Sequence, residues 1–118
     1  MDAALRKSFE AELVMAKAAQ LRDDVRLAWR SLERAHVLSQ AFAGPHVRVH
    51  LAMAAFAWRR FDIRELLGQL PRLLLAAPGS WMGRAPRGNT GGSDVGIFTP
   101  MPIPNDLHAL LDAAHSWK

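Results

Sequence analysis

Apolar residues recur along the chain at the spacing of an α-helix. Leu5, Phe9, Leu13 and Ala16 follow one another at steps of four, four and three, which predicts an amphipathic helix over residues 3–21. The same periodicity predicts helices over residues 24–41, 45–60, 62–75 and 105–115. Residues typical of helix starts precede or open these segments, namely Asp24, Pro45, Asp62 and Asn105.

Short connections between the first four segments predict two antiparallel helical hairpins, followed by a long packed loop and a short C-terminal helix. The fold class is therefore all-α. A weak internal repeat supports the hairpins, since Arg22-Asp23-Asp24 and Arg60-Phe61-Asp62 stand 38 positions apart. Each of these tripeptides would form the turn of one hairpin, an arrangement that resembles tetratricopeptide repeat units.

The fourth segment combines a leucine-rich face with a proline. Five leucines are expected to point inward from this helix, namely Leu66, Leu67, Leu70, Leu73 and Leu74. Pro71 removes one hydrogen bond of the helix and clashes with the preceding turn. A kink or an early end near Leu70 is predicted.

Periodicity is lost over residues 77–104, where glycine, proline and other turn-forming residues dominate. Interspersed apolar residues indicate that this loop packs onto the helices. The segment Gly88-Asn89-Thr90-Gly91-Gly92 could bind an anion through backbone N–H groups. With two nearby arginines it gives a candidate anion or partner contact, formed by Arg84, Arg87, Asn89 and Thr90.

The length of 118 residues fits a single helical domain over residues 1–118. Cysteine is absent, which excludes disulfides and thiolate metal sites. The N-terminal segment carries acidic residues and no continuous apolar stretch, and every apolar run, such as residues 73–78, is far shorter than the roughly 20 residues of a membrane span. These features predict a cytoplasmic protein without a membrane segment.

A basic ridge, defined here as Arg22, Arg26, Arg30 and Arg34, follows one side of the second helix at steps of four. Such ridges are most often solvated faces. The net charge is only +4, and aromatic residues are not interleaved with the arginines, so nucleic-acid binding is disfavoured.

Candidate chemistry concentrates in the second and third helices. Glu33 and His36 form a Glu-x-x-His motif, a pattern that supplies metal ligands in helical bundles, and His46 and His50 lie one turn apart on the next helix. Glu12 of the first helix could add a carboxylate, although an acid at the edge of an apolar stripe is more often paired with an arginine. This set of nitrogen and oxygen donors suits one ion of iron, zinc, manganese or copper.

The alternative is a helical-hairpin module that binds another protein and no metal. His36 would then donate to a helix carbonyl, Glu33 would pair with Arg30, and His46 would lie beside the start of the third helix. The sequence contains no Ser-His-Asp set, carboxylate dyad or cofactor fingerprint, so it gives no support for an enzyme.

Four separated segments, LERAHVLSQ, PHVRVHLAM, PRGNTGGSDV and PMPIPNDL, resemble a family of small bacterial proteins known as domain of unknown function 3703. The resemblance covers nearly the whole chain. It implies no activity, cofactor or partner. It implies only that Glu33, His36, His46, His50 and Asn89 belong to characteristic segments of the family.

Overall fold

The computed structural model describes residues 1–81, 89–92 and 100–115. Its five helices confirm the all-α prediction. They are α1 (Ala3–Leu21), α2 (Val25–Ser39), α3 (Ala43–Arg59), α4 (Ile63–Trp81) and α5 (Asn105–His115). Half of the predicted loop, including Arg84 and Arg87, lies outside the described residues.

The helices begin where short polar side chains can satisfy free backbone amides. Asp2, Asp24 and Asp62 each precede a helix, and their Oδ1 atoms accept hydrogen bonds from the backbone N–H of the residue three positions later, at 2.8, 3.1 and 3.1 Å. Such caps stabilise a helix by about 1 kcal/mol. The two caps predicted from the sequence, at Asp24 and Asp62, are therefore present.

The predicted repeat of turns has a structural counterpart. The α1–α2 and α3–α4 connections each contain three residues, and the middle ones, Asp23 and Phe61, have positive φ angles of 57° and 55°. The third residue of each turn donates its backbone N–H to a carbonyl five positions earlier, at 2.9 Å in both cases, Asp24 to Ala19 and Asp62 to Ala57. The two hairpins thus use one turn geometry, whereas the likeness to tetratricopeptide repeats stays a prediction.

Helix α1 packs against α2, α3 packs against α4, and α2 and α3 join the two hairpins. Helix α5 lies against α1 and α2. One apolar cluster joins α1, α2, α3 and α5 and includes Leu5, Phe9, Leu38 and Leu107. A second cluster, at the α1–α2–α3 interface, includes Met53 and Phe56.

Three helix boundaries differ from the prediction by two residues or more, and one of them is the end of α2 at Ser39 rather than at residue 41. Helix α3 begins at Ala43 rather than at Pro45, so Pro45 falls within the first turn, where its missing N–H costs no helical hydrogen bond. Helix α4 continues through Pro71 and Pro78 to Trp81. Pro71 and Leu67 are both exposed, so water can hydrate the Leu67 carbonyl that Pro71 leaves without a helical donor.

The predicted orientation of α4 is wrong for three of its five leucines. Leu67, Leu70 and Leu74 are 60%, 51% and 79% exposed. The buried positions of this helix are instead Gln69, Arg72 and Ala76. Helix α4 therefore directs polar side chains inward, and the candidate site described below explains why.

The basic ridge is not uniform. Arg22, Arg26 and Arg30 are exposed, as predicted for a solvated face. Arg34 donates from Nε to Glu12 of α1 at 2.7 Å and from Nη2 to Asp106 of α5. Arg34 thus ties three helices together at the edge of the first apolar cluster.

Among the described residues, no helix is both long and apolar enough to cross a bilayer. The cytoplasmic location stays a prediction of the sequence.

Candidate metal centre

Three histidines converge between α2 and α3. Helix α2 supplies His36, and α3 supplies His46 and His50 from successive turns of one face. Their exposed fractions are 3%, 5% and 2%. The Nε2 atom of His36 lies 3.0 Å from that of His46 and 3.0 Å from that of His50, and the last two are 3.2 Å apart. Three ring nitrogens thus form a small triangle inside the protein.

The tautomer of His36 follows from its contact on the opposite side of the ring. Its Nδ1 lies 2.6 Å from the backbone carbonyl oxygen of Asn89. A carbonyl can only accept, so Nδ1 carries the hydrogen and donates it. In the neutral ring, Nε2 then presents a lone pair to the triangle.

The same argument applies to His50, whose Nδ1 lies 2.7 Å from Oε1 of Gln69. The orientation of the Gln69 amide is determined by its other contacts, because its Nε2 donates to Oε1 of Glu65 at 2.8 Å and to the carbonyl of Gly91 at 2.9 Å. Both of those groups accept, so Oε1 of Gln69 must accept from Nδ1 of His50. The Nε2 atom of His50 is again a lone-pair donor.

His46 completes the set through a hydrogen bond with the backbone of Ala76 in α4. Each histidine is therefore held at its outer side while its Nε2 faces the other two. This is the usual arrangement of metal-binding histidines, in which a partner of the second ring nitrogen fixes tautomer and orientation. Three lone pairs at this separation repel one another, and a cation placed between them removes the repulsion.

Burial keeps the cluster neutral at physiological pH. The pKa of His36 is well below its usual value, mainly because burial disfavours the charged form and also because His50 and His46 are close. Burial and His50 lower the pKa of His46 to about 4. Burial also lowers the pKa of His50, although its hydrogen bond to Gln69 acts in the opposite direction. Neutral imidazole is the form that binds metals.

The described loop segment, residues 89–92, closes one side of the cluster. Asn89, Gly91 and Gly92 are buried, and Oδ1 of Asn89 accepts a hydrogen bond from the N–H of Gly91 at 2.8 Å. Gly91 has a φ of +85°, and a Cβ atom there would lie 2.6 Å from Cδ2 of His36. A glycine is therefore required both by the backbone conformation and by the contact with His36.

A polar stripe on α4, defined as Glu65, Gln69, Arg72 and Ala76, covers another side. These positions are four, three and four residues apart and share one helix face. Gln69 contacts His50, and the backbone of Ala76 contacts His46. The stripe explains why α4 turns its leucines away from the interior.

The structure brings part of the predicted ligand set together. His36, His46 and His50 come together, and no carboxylate among the described residues joins the group. Glu12 instead pairs with Arg34. Glu33 lines a surface groove with Arg30, Val37 and Thr90. The Glu-x-x-His motif thus contributes only its histidine.

Of the four residues predicted to contact an anion or partner, Asn89 holds His36 through its carbonyl. Thr90 lines the groove beside Glu33. Arg84 and Arg87 lie outside the described residues.

Three positions that contact the histidine cluster were not predicted as site residues, namely Gln69, Gly91 and Ala76. Ala76 and Gly91 act through backbone atoms or the absence of a side chain, for which the sequence carries no signal. Gln69 did leave a signal, because it is a polar residue between Leu66 and Leu73 on the face predicted to point inward.

Over the part of the chain that the structure describes, fold and site define an all-helical protein with a buried cluster of three histidines. The chain belongs to the family described as Protein of unknown function (DUF3703), which it matches over residues 3–111. No curated protein and no solved structure matches it.

Proposed function

We propose that this protein binds one transition-metal ion through the Nε2 atoms of His36, His46 and His50. The observation that carries the proposal is the triangle of these atoms, with sides of 3.0, 3.0 and 3.2 Å. The outward hydrogen bonds of the rings leave the three lone pairs directed inward. A structural role alone would not bring three acceptors face to face in the interior.

The dimensions of the triangle agree with metal coordination. Two nitrogens bound at about 2.0–2.1 Å to a tetrahedral ion lie about 3.3–3.4 Å apart, and those on one face of an octahedron lie about 2.9 Å apart. The observed distances fall between these values. Three imidazoles without a carboxylate favour zinc, copper and other nitrogen-preferring ions over manganese.

Elemental analysis of protein purified without a histidine tag tests this proposal. We expect one metal ion per chain in the wild type and loss of the metal in His36→Ala,His50→Ala. His108→Ala is the matched control, because His108 is exposed and pairs with Asp112 on α5, and it should keep its metal. Circular dichroism verifies that each variant is helical. Substoichiometric metal in the wild type, or equal metal in all three proteins, would reject the site.

A second candidate is a helical-hairpin module that binds another protein, and the outer face of α4 favours it. Ile63, Leu67, Leu70 and Leu74 are all more than half exposed and are spaced by four, three and four residues, the seam spacing of helix pairs. A second copy of this chain would suit a self-complementary seam of this kind. Sedimentation of the wild type and of Leu67→Glu,Leu74→Glu tests this candidate. A monomeric wild type over the whole concentration range would reject the second copy as its partner.

A further inference from the structure

The shape of the histidine triangle determines where a bound ion would lie. A point in the plane of the three Nε2 atoms and equidistant from them would be only about 1.8 Å from each, shorter than a metal–nitrogen bond of about 2.0–2.1 Å. His36, His46 and His50 would therefore hold such an ion from one side. An ion with three ligands on one side has an open face, which accepts a further ligand.

The charge of such a centre determines the class of that ligand. Three neutral imidazoles leave the full charge of a divalent ion in a site whose ligands are at most 5% exposed. A buried charge of this kind is costly unless an opposite charge lies beside it. No carboxylate among the described residues belongs to the ligand group. An anion from solution would supply the missing negative charge.

Arg72 is placed to assist such an anion. It follows Gln69 by three positions and precedes Ala76 by four on the polar stripe of α4, and these two residues contact His50 and His46. Arg72 is only 9% exposed, and its Nη1 donates to the carbonyl of Gly68 at 2.7 Å. Arg72 therefore places a buried positive charge one helical turn from each of the two residues that contact His50 and His46.

We propose that the bound ion takes a small monovalent anion as an exchangeable fourth ligand, and that the Arg72 guanidinium stabilises this anion. This proposal rests on the metal-binding function proposed above. The burial of the three histidines limits the anion to a few atoms. The chemical class therefore comprises hydroxide, halides and pseudohalides rather than large organic acids.

Cobalt(II)-substituted protein provides the test, because the visible spectrum of cobalt(II) reports its ligands. One equivalent of cobalt(II) should give absorption bands typical of bound ion, and azide should shift these bands in a saturable way. Acetonitrile, a neutral linear molecule of similar size, should bind at least about tenfold more weakly than azide. The positive charges of the metal ion and of the Arg72 guanidinium both attract an anion and not a neutral molecule. This comparison uses the wild type alone.

Variants then test the role of Arg72. We expect Arg72→Met to bind one cobalt(II) per chain and to weaken azide binding at least about tenfold. Arg72→Lys keeps the charge and should recover most of the affinity. Arg64→Met on the exposed side of the same helix should match the wild type.

The outcomes separate this proposal from the function on which it rests. Failure of the wild type to bind cobalt(II) at His36, His46 and His50 would overturn the metal site itself. Stoichiometric cobalt(II) with no response to azide would leave the metal site intact and overturn the anion ligand. Equal azide affinity in folded Arg72→Met and wild type would overturn the assignment of Arg72. Equal affinity of the wild type for azide and acetonitrile would overturn the preference for an anion.

Discussion

Gly91 supports two of the three histidines of the cluster. Its carbonyl accepts from Gln69, which orients His50, and its Cα lies against the ring of His36. The positive φ of 85° also disfavours any residue with a side chain. One glycine therefore couples the orientations of two histidines that come from different helices.

We predict that Gly91→Ala weakens metal binding while the five helices remain formed. The new Cβ would lie 2.6–2.8 Å from three atoms of the His36 ring, so the ring must move and the Nε2 triangle is distorted. Disturbed support of a metal-binding histidine typically costs about 10- to 100-fold in affinity. Competition with a chromophoric chelator measures that loss.

Gly44→Ala is the matched control for this prediction. A Cβ at Gly44 would meet no atom within 4 Å, and alanine is favoured over glycine in a helix by up to about 1 kcal/mol. Its metal affinity should equal that of the wild type. If Gly91→Ala binds metal as tightly as Gly44→Ala, the close contact at His36 does not control the site.

At the scale of the elements, the two hairpin turns share a geometry but differ in how well their sequences suit it. Asp23 and Phe61 both occupy the left-handed region, which costs an ordinary L-residue about 1–2 kcal/mol and suits Asn, Asp and Gly better. Phe61 is 84% exposed, so little packing compensates for this strain. The α3–α4 turn is thus the less favourable copy.

We predict that Phe61→Asn stabilises the protein by about 0.5–1 kcal/mol, because Asn adopts the left-handed conformation with less strain. The reciprocal variant, Asp23→Phe, should lose a similar amount. Urea unfolding followed by circular dichroism measures both changes. A loss of stability in Phe61→Asn would show that Phe61 makes stabilising contacts that outweigh its backbone strain.

The helices could be predicted because their signals are local. Asp24 and Asp62 cap helices whatever the rest of the chain does, and the turn repeat is visible in the sequence as two tripeptides. The inward face of α4 could not be predicted from hydrophobicity, because Gln69 and Arg72 point toward a polar cluster formed by other helices. The expectation that the most apolar face of α4 points inward fails here, because the interior that this helix covers is polar.

The candidate site, like the helices, could be predicted where its signals are local and not where they depend on packing between distant parts of the chain. His46 and His50 share a helix face by spacing alone, and the short α2–α3 turn brings His36 toward them. Glu12 was not excluded by its position in the sequence, because its pairing with Arg34 depends on how α1 packs on α2. The contact of His36 with Asn89 joins residues 53 positions apart, a separation that no periodicity reports.

At the scale of the whole molecule, the histidine cluster joins parts that are distant in sequence. It joins α2, α3, α4 and residues 89–92 through buried polar contacts. These contacts require neutral imidazoles, so the free energy of folding must depend on the protonation of His36, His46 and His50. The groups facing them from the surrounding elements are Gln69, Glu65 and Arg72 of α4, the Ala76 backbone and the Asn89 carbonyl.

We predict that the metal-free protein loses stability as the pH falls from about 6.5 toward 4. Each of the three histidines has a lowered pKa in the folded protein, about 4 for His46, whereas in the unfolded chain the pKa is about 6.5. The unfolded chain therefore binds more protons within this window, and stability rises with pH there and levels off above about 6.5. The slope is at most about 1.4 kcal/mol per pH unit for each group.

Glu10 and Asp106 act in a different pH range. Arg48 lowers the pKa of Glu10, and Arg34 lowers the pKa of Asp106. Their contribution is present above the unfolded carboxylate pKa of about 4 and is lost below it. Urea unfolding of metal-free protein between pH 7.5 and 5 thus tests the histidines without a contribution from these carboxylates. A metal-loaded sample should resist the acid loss, because the ion competes with protons for the same Nε2 lone pairs. A flat stability profile of the metal-free protein between pH 7.5 and 5 would contradict the neutral, buried cluster on which the metal site depends.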